Sequence, residues 1–230
     1  MHFTPSEEQH ILARSGLQDF LGSRVMNRVN GNFESDGPVV LDSIRSKYQE
    51  PHRHYHDWNH ALSVLSWVNH CCDVYSYGPE VKYELGVAAL FHDVVYEIGH
   101  GPAVNEEASV GFLKRVVPIR ATYESLAEKI ILATAQHGKL ESEDVDLETA
   151  LFMDCDIASF GEARWEIAVW NDQNIVKELL HKFTPEQIKV GRKAFLGGLL
   201  AKRSIFLTPY FQDRFEAQAR RNIQRVITEL

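Results

Sequence analysis

The sequence is poor in cysteine, and its three cysteines are not arranged for a disulfide framework or a zinc site. Cys71 and Cys72 are neighbours, Cys155 stands alone, and no Cys-x-x-Cys pair occurs in the 230 residues. Neighbouring cysteines cannot easily bridge to each other. We therefore expect a chain of the reducing cytoplasm, without structural disulfides.

Long hydrophobic runs are absent as well. Residues 1–16 are polar and contain no apolar export core. The longest apolar runs, such as residues 86–91, are far shorter than the ~20 residues that a helix needs to cross a bilayer. We expect neither an export signal nor a membrane partner.

An excess of positive charge is also lacking. Lysine and arginine number 24 against 32 acidic residues, so the formal net charge is −8 and the pI is about 5.8. Because an extended nucleic-acid surface is usually basic, we expect none here, although a local basic pocket for a small phosphate compound is compatible with this composition. The 44% of hydrophobic residues is ordinary for a globular chain. No oligomeric state is predicted.

Strand-like alternation is rare, whereas signals for helices recur along the chain. Residues 4–7 and 184–187 have the pattern of a capping box with proline at the first helical position. Thr208-Pro209 and Gly78-Pro79 mark further helix starts. With no linker long enough to separate domains, these signals predict one all-α domain of about ten helices over residues 1–230.

One of the predicted helices carries a histidine on its apolar stripe. Leu126, Ile130, Ala133 and His137 recur at helical spacing, which predicts a helix ending at Gly138. His137 then points inward, either as a helix-terminal histidine bonded to backbone or as part of an active site. Gly161 is also typical of a helix C-terminus.

Four histidines crowd into the segment Pro51-His-Arg-His-Tyr-His-Asp-Trp-Asn-His60. Asp57 or Asn59 could cap a helix that follows, which places His60 in its first turn. A solvated polar turn is the alternative interpretation, and it suits His52 and His54 better than His60.

Two further segments place polar residues where burial is expected. His92 and Asp93 interrupt a strongly apolar helix predicted from Leu85 to Tyr96. Burying an unpaired histidine and carboxylate costs several kcal/mol, so either a shared divalent cation or a mutual hydrogen bond must compensate. Asp154 and Asp156 lie in a similar apolar run, as metal ligands or as capping or salt-bridged acids.

Taken together, these segments have the order of histidine, then His-Asp, then Asp that is typical of the HD superfamily. Six motifs resemble, in order, a bacterial group of predicted HD phosphohydrolases: Arg53-His-Tyr-His-Asp-Trp-Asn-His60, Phe91-His-Asp-Val-Val-Tyr96, Asn105-Glu-Glu-Ala-Ser109, Asp154-Cys-Asp156, Gly191-Arg192 and Glu216-Ala-Gln-Ala-Arg-Arg-Asn222. The resemblance covers roughly residues 40–230.

The resemblance implies an HD-type helical bundle that holds one divalent metal ion. It implies a metal-site core at about residues 50–160 and C-terminal helices at 185–230. The helix signals near the N-terminus add a predicted helix 5–22 that packs on this core. The implied metal ligands are His60, His92, Asp93 and Asp156, with Asp154 as the runner-up for the last position. Such a set of nitrogen and oxygen donors suits Mn²⁺, Fe²⁺, Co²⁺, Ni²⁺ or Zn²⁺, and Mg²⁺ less well.

The implied activity is hydrolysis of a small phosphate ester or anhydride, a nucleotide among the candidates, by metal-activated water. Glu106 or Glu107 would orient the water or take its proton. Arg192 and Lys139 are candidate phosphate clamps, each also compatible with a solvated surface position, and His137 could donate to the phosphate. The alternatives are a catalytically silent nucleotide-binding module and an HD-fold di-iron oxygenase, for which more histidines would be needed between Asp93 and Asp156.

Overall fold

Helices make up most of the described part of the chain. The computed structural model describes residues 2–25, 27–29, 32–34, 37–101, 103–116 and 125–230. Over these ranges there are eleven α-helices, two 3₁₀ turns and one short pair of strands. The predicted all-α class is therefore confirmed. None of the helices within these ranges is both long enough and apolar enough to cross a membrane.

The elements have the following bounds along the chain. The helices are α1 (Pro5–Arg14), α2 (Gln18–Gly22), α3 (Val40–Tyr48), α4 (Trp58–Val74), α5 (Pro79–Phe91), α6 (Val104–Val116), α7 (Leu126–Thr134), α8 (Leu147–Asp156), α9 (Trp165–Leu179), α10 (Pro185–Ala201) and α11 (Pro209–Glu229). The 3₁₀ turns are Ser142–Asp144 and Ala158–Gly161. Strands β1 (Asn27–Val29) and β2 (Asn32–Glu34) pair antiparallel.

The chain divides into two compact units, residues 1–135 and 136–230. The first unit contains α1 to α7 with the two strands, and the second contains α8 to α11. This division falls inside the range 50–160 that the sequence analysis assigned to one metal-site core. The predicted ligands at 60, 92 and 93 therefore belong to the first unit, and those at 154 and 156 belong to the second.

In the first unit, α5 packs against α4, α6 and α7. All residues from Leu85 to Phe91 are buried. A helix that is apolar on every side is stable only at the centre of a packed unit, because each face must be covered. The end of this buried helix is where His92 and Asp93 follow.

The predicted N-terminal helix 5–22 is in fact two helices. Helix α1 ends at Arg14, and Gly16 then adopts a left-handed conformation with φ of +73° before α2 begins at Gln18. A residue in that conformation ends an α-helix, and glycine adopts it without steric cost.

The capping and proline signals in the sequence predicted the helix starts correctly. Thr4 and Thr184 each form a complete capping box, and Pro79 and Pro209 are the first residues of α5 and α11. The helix end predicted at Gly138 is wrong, because α7 ends at Thr134. Gly138, with φ of +78°, belongs to the turns that follow.

In the second unit, α11 packs against α9, α10 and the turn Ala158–Gly161. A Cβ atom at Gly161 would lie 2.6 Å from the Cβ of Phe215. Glycine is therefore needed at position 161 for the close approach of α11, within a 3₁₀ turn, and not to end an α-helix as predicted.

The loop between α10 and α11 is held by polar side chains of α11. The Glu216 carboxylate accepts hydrogen bonds from the backbone N–H groups of Ile205 and Phe206 at 3.0 and 3.1 Å. Arg220 donates to the carbonyl groups of Leu200 and Lys202, each at 2.9 Å. The Glu216–Asn222 motif thus has a structural role at the end of α10.

Candidate metal site

His60 lies in the first turn of α4, where Asp57 caps the helix. The Asp57 carboxylate accepts hydrogen bonds from the backbone N–H groups of Asn59 at 2.9 Å and His60 at 3.1 Å. These are among the N–H groups at a helix start that have no partner within the helix. Of the two predicted caps, Asp57 fills the position, and His60 is 9% exposed.

His92 and Asp93 lie at the C-terminal end of α5. Their predicted place inside a helix running to Tyr96 is wrong, because α5 ends at Phe91. Carbonyl groups at a helix end need other partners. The Tyr48 hydroxyl donates to the carbonyl of Leu90 at 3.2 Å. The buried Arg53 side chain donates to the carbonyl groups of Asp93 and Val94.

The three side chains direct one donor atom each to a common point. His60 Nε2 lies 3.2 Å from His92 Nε2 and 3.5 Å from Asp93 Oδ2, and His92 Nε2 lies 3.0 Å from Asp93 Oδ2. Donors about 2.1 Å from one ion, at ligand angles of 90–110°, are about 3.0–3.4 Å apart. The observed spacings fit that requirement, so this group could hold a metal ion.

The orientation of the His92 ring strengthens this conclusion. Its Nδ1 lies 3.1 Å from the carbonyl oxygen of Ala89, which can only accept, so Nδ1 carries the proton. In the neutral ring, Nε2 then directs a lone pair towards the Asp93 carboxylate. Two acceptors facing each other at 3.0 Å require a proton or a cation between them. A backbone carbonyl that fixes the tautomer in this way is common behind metal-binding histidines.

Asp93 is the anionic member of the group. Burial by itself would raise the pKa of its carboxyl, but the neighbouring His92, His60 and His56 outweigh burial and hold that pKa well below its usual range. The side chain is consequently a carboxylate, which is the form that binds a cation.

Arg53 joins the two segments that carry the three donors. Its side chain is fully buried, and it donates to the carbonyl groups of His56 at 3.0 Å, Asp93 at 2.7 Å and Val94 at 3.1 Å. The guanidinium also lies over the ring of Tyr48, 5.1 Å from its centroid. This role of Arg53 was not predicted from the sequence, although an arginine among histidines and aromatic residues is a signal that the sequence contains.

Helix α6 is fastened to the segment that follows Asp93. The Ser109 hydroxyl bonds to both the N–H and the carbonyl of Val95, at 3.1 and 3.3 Å. The Asn105 side chain does the same for Glu97, at 3.0 and 3.1 Å. The start of α6, with its two glutamates, is therefore held beside the three donors.

The two glutamates of α6 meet different surroundings. Glu107 is exposed, whereas Glu106 is partly buried. Burial raises the pKa of Glu106, and the nearby charges of Asp93 and Glu107 raise it further, while its own backbone N–H and His92 act in the opposite sense. Of the two predicted candidates, Glu106 is the one whose pKa is affected by Asp93 and His92 of the metal-binding group.

The remaining histidines of residues 51–60 lie at the border of the metal-binding group. The His56 ring stacks on Tyr96 with centroids 4.3 Å apart, and His52 Nε2 lies 2.9 Å from the Tyr96 carbonyl oxygen. His54 is exposed. The predicted polar turn is thus correct for His54, whereas His52 and His56 have defined contacts.

In the second unit, Asp154 has a structural role. Its carboxylate accepts hydrogen bonds from Leu207 N–H, Thr208 N–H and the Thr208 hydroxyl, each at 2.7 Å. Burial raises the pKa of Asp154 to about 7, despite the opposing effect of these hydrogen bonds. Its oxygens accept hydrogen bonds from the start of α11. These contacts favour a structural role for Asp154 over its predicted role as the runner-up metal ligand.

Asp156 and His137 lie together in the second unit. Asp156 Oδ2 is 3.2 Å from His137 Nε2, and the two side chains are 13% and 19% exposed. The sequence predicted His137 on the helix, but His137 lies in the turns that follow α7. The ligand role of Asp156 and the phosphate-binding role of His137 stay predictions.

The predicted phosphate clamps also lie in the second unit. The Arg192 guanidinium donates twice to Asp172, at 2.8 Å and 2.5 Å, and both side chains are largely buried. This ion pair joins α10 to α9, which favours a structural role for Arg192. Lys139 is exposed.

Comparison of the chain with protein-family models, with curated proteins and with solved structures finds no match. The geometry of the site and the chemistry of its residues therefore carry the functional argument.

Proposed function

We propose that this chain is a metal-dependent phosphohydrolase that acts on a small phosphate ester or anhydride, nucleotides included. The observation that carries the proposal is the convergence of His60 Nε2, His92 Nε2 and Asp93 Oδ2 within 3.5 Å of one another. The HD-like order of these residues in the sequence gives the reaction class.

The donor set favours some metals over others. Two imidazoles and one carboxylate suit Mn²⁺, Fe²⁺, Co²⁺, Ni²⁺ and Zn²⁺. Mg²⁺ prefers oxygen ligands and keeps several waters, so it suits two imidazole nitrogens less well. His60, His92 and Asp93 would hold the ion. The resemblance alone supports Asp156 as a further ligand.

The residues around the three donors have roles that fit hydrolysis. A divalent cation bound there would act as a Lewis acid on a phosphoryl oxygen and on water. Glu106 would accept a proton from that water, and its raised pKa brings it closer to the neutral range in which general bases are effective. Ala89 orients His92 through its carbonyl, and Arg53 keeps the two donor-bearing segments together.

The cysteines support the proposed location in the reducing cytoplasm. Cys71, Cys72 and Cys155 are all buried and none forms a disulfide. Burial raises the pKa of the Cys72 thiol to about 11, which leaves it unreactive at neutral pH.

The proposal is tested by reconstituting metal-stripped protein with each of the five ions and measuring phosphate release from nucleotides and sugar phosphates. We expect release with at least one ion, and loss of that release in His92→Asn. Nucleotide binding without turnover would favour the silent module. Two irons per chain with substrate-dependent oxygen uptake would favour the oxygenase.

A further inference from the structure

The side chains of Tyr55, His56 and Tyr96 form a rim beside the three metal-binding donors, and the proposed chemistry does not use it. The centroids of the Tyr55 and His56 rings lie 4.9 and 5.6 Å from that of His60. The rim is therefore adjacent to any molecule bound at the metal-binding group.

His56 belongs to this rim and not to the three residues that would bind the metal. The donor atoms of His60, His92 and Asp93 lie within 4.8 Å of one another, and His56 is not part of that group. The His56 ring nevertheless lies close enough to Asp93 to help lower the pKa of that carboxyl. His56 therefore lies outside the group of three donors but close enough to it to contact a molecule bound there.

The position of His56 is fixed by its surroundings. Its ring stacks on Tyr96 at an interplanar angle of 27°, and the Arg53 guanidinium donates to its carbonyl oxygen. Tyr96 is held in turn, because His52 bonds to its carbonyl and Arg53 lies 5.6 Å from its ring centroid. A binding residue that is held in this way loses little conformational entropy when a ligand arrives.

The side chains at the rim favour binding of an anion over binding of an apolar group. A phosphoryl group has more oxygens than one metal ion holds, and those oxygens need N–H donors. The His56 imidazole is half-buried and can donate through a ring nitrogen.

We propose that His56 is a substrate-binding residue that donates a hydrogen bond to a phosphoryl oxygen not held by the metal. This rests on the proposed function, and it extends that function by naming the group that selects a phosphoryl ligand. Tyr96 acts through His56 as a positioning residue.

The test compares His56→Phe, which keeps a ring to stack on Tyr96 but removes the donor, with His56→Gln, which keeps a donor. His10→Phe is the matched control, because His10 is an exposed histidine of α1 in the same unit. Each protein is reconstituted with Mn²⁺, its metal content is measured, and the Kd of inorganic phosphate is determined by calorimetry. KM and kcat are measured with p-nitrophenyl phosphate as an ester and pyrophosphate as an anhydride.

We expect His56→Phe to bind phosphate about ten-fold more weakly or worse, with unchanged metal content, and His56→Gln to recover part of the loss. KM should rise for each substrate that uses this contact. Unchanged phosphate affinity in His56→Phe would overturn the proposal, as would loss of the metal in that variant or failure of the wild-type protein to bind phosphate. If the wild-type protein binds phosphate through His56 but hydrolyses neither substrate, the binding role stands and the proposed hydrolysis fails.

Discussion

Glu106 and Glu107 are adjacent residues with the same side chain, and their surroundings separate their roles. Glu106 is partly buried with a raised pKa, and Glu107 is exposed. We expect Glu106→Gln to lower kcat about 10²–10⁴-fold, because the amide cannot accept the proton, while metal content stays unchanged. Glu107→Gln is the control and should lose little. Steady-state kinetics with metal analysis would decide against this role if both variants retained activity.

Asp154 makes the stability of the protein depend on pH. Its pKa is about 7 in the fold and near 4 in the unfolded chain, so the folded state holds the proton more tightly. Its contribution to the unfolding free energy is therefore fully present below about pH 4 and is lost as the pH rises to about 7. Urea unfolding between pH 5 and pH 8 should show a steeper decline for the wild-type protein than for Asp154→Asn. Parallel pH profiles would contradict this assignment.

Among the elements, the two segments that carry the metal-binding donors depend on one arginine. Arg53→Met would leave the carbonyl groups of His56, Asp93 and Val94 without their donor. Because each unsatisfied buried group costs about 1–3 kcal/mol, we expect the unfolding free energy to fall by about 3 kcal/mol or more and metal affinity to fall with it. Chemical denaturation and metal titration measure both. An Arg53→Met variant as stable as the wild type would show that this brace is dispensable.

The starts of helices could be predicted from the sequence, and several of their ends could not. Thr4 and Thr184 cap their helices through bonds to residues three positions away, so the signal is local. The end of α5 at Phe91 depends on Tyr48 and Arg53, which are about 40 positions away in the chain. No periodicity within α5 contains that information.

The same distinction applies to the site. His92 and Asp93 were found because they are polar residues among apolar neighbours, and His60 because it follows a capping residue at the start of a predicted helix and fits the HD order. Asp154 has the same local appearance, but its partners Leu207 and Thr208 lie more than fifty positions away. The sequence therefore could not show that Asp154 is satisfied by the start of α11.

For the whole molecule, the resemblance to the HD superfamily predicts a further metal ligand in the second unit. It favours Asp156 for that role, whereas the hydrogen bonds of Asp154 give Asp154 a structural role. We expect Asp156→Asn to weaken metal binding, and Asp154→Asn to keep the metal while losing about 1–3 kcal/mol of stability, because an amide N–H₂ would face backbone donors. Metal titration paired with urea unfolding separates the two effects. The reverse pattern would transfer the ligand role to Asp154.

The most direct test of a metal-binding group at His60, His92 and Asp93 is metal analysis of the freshly purified protein beside Asp93→Ala, with helix content followed by circular dichroism. We predict one tightly bound divalent ion per wild-type chain and none in the variant. Helix content should be retained, because Arg53 bonds to the Asp93 carbonyl and not to its side chain. Full metal occupancy in Asp93→Ala, or two irons per wild-type chain, would contradict this account.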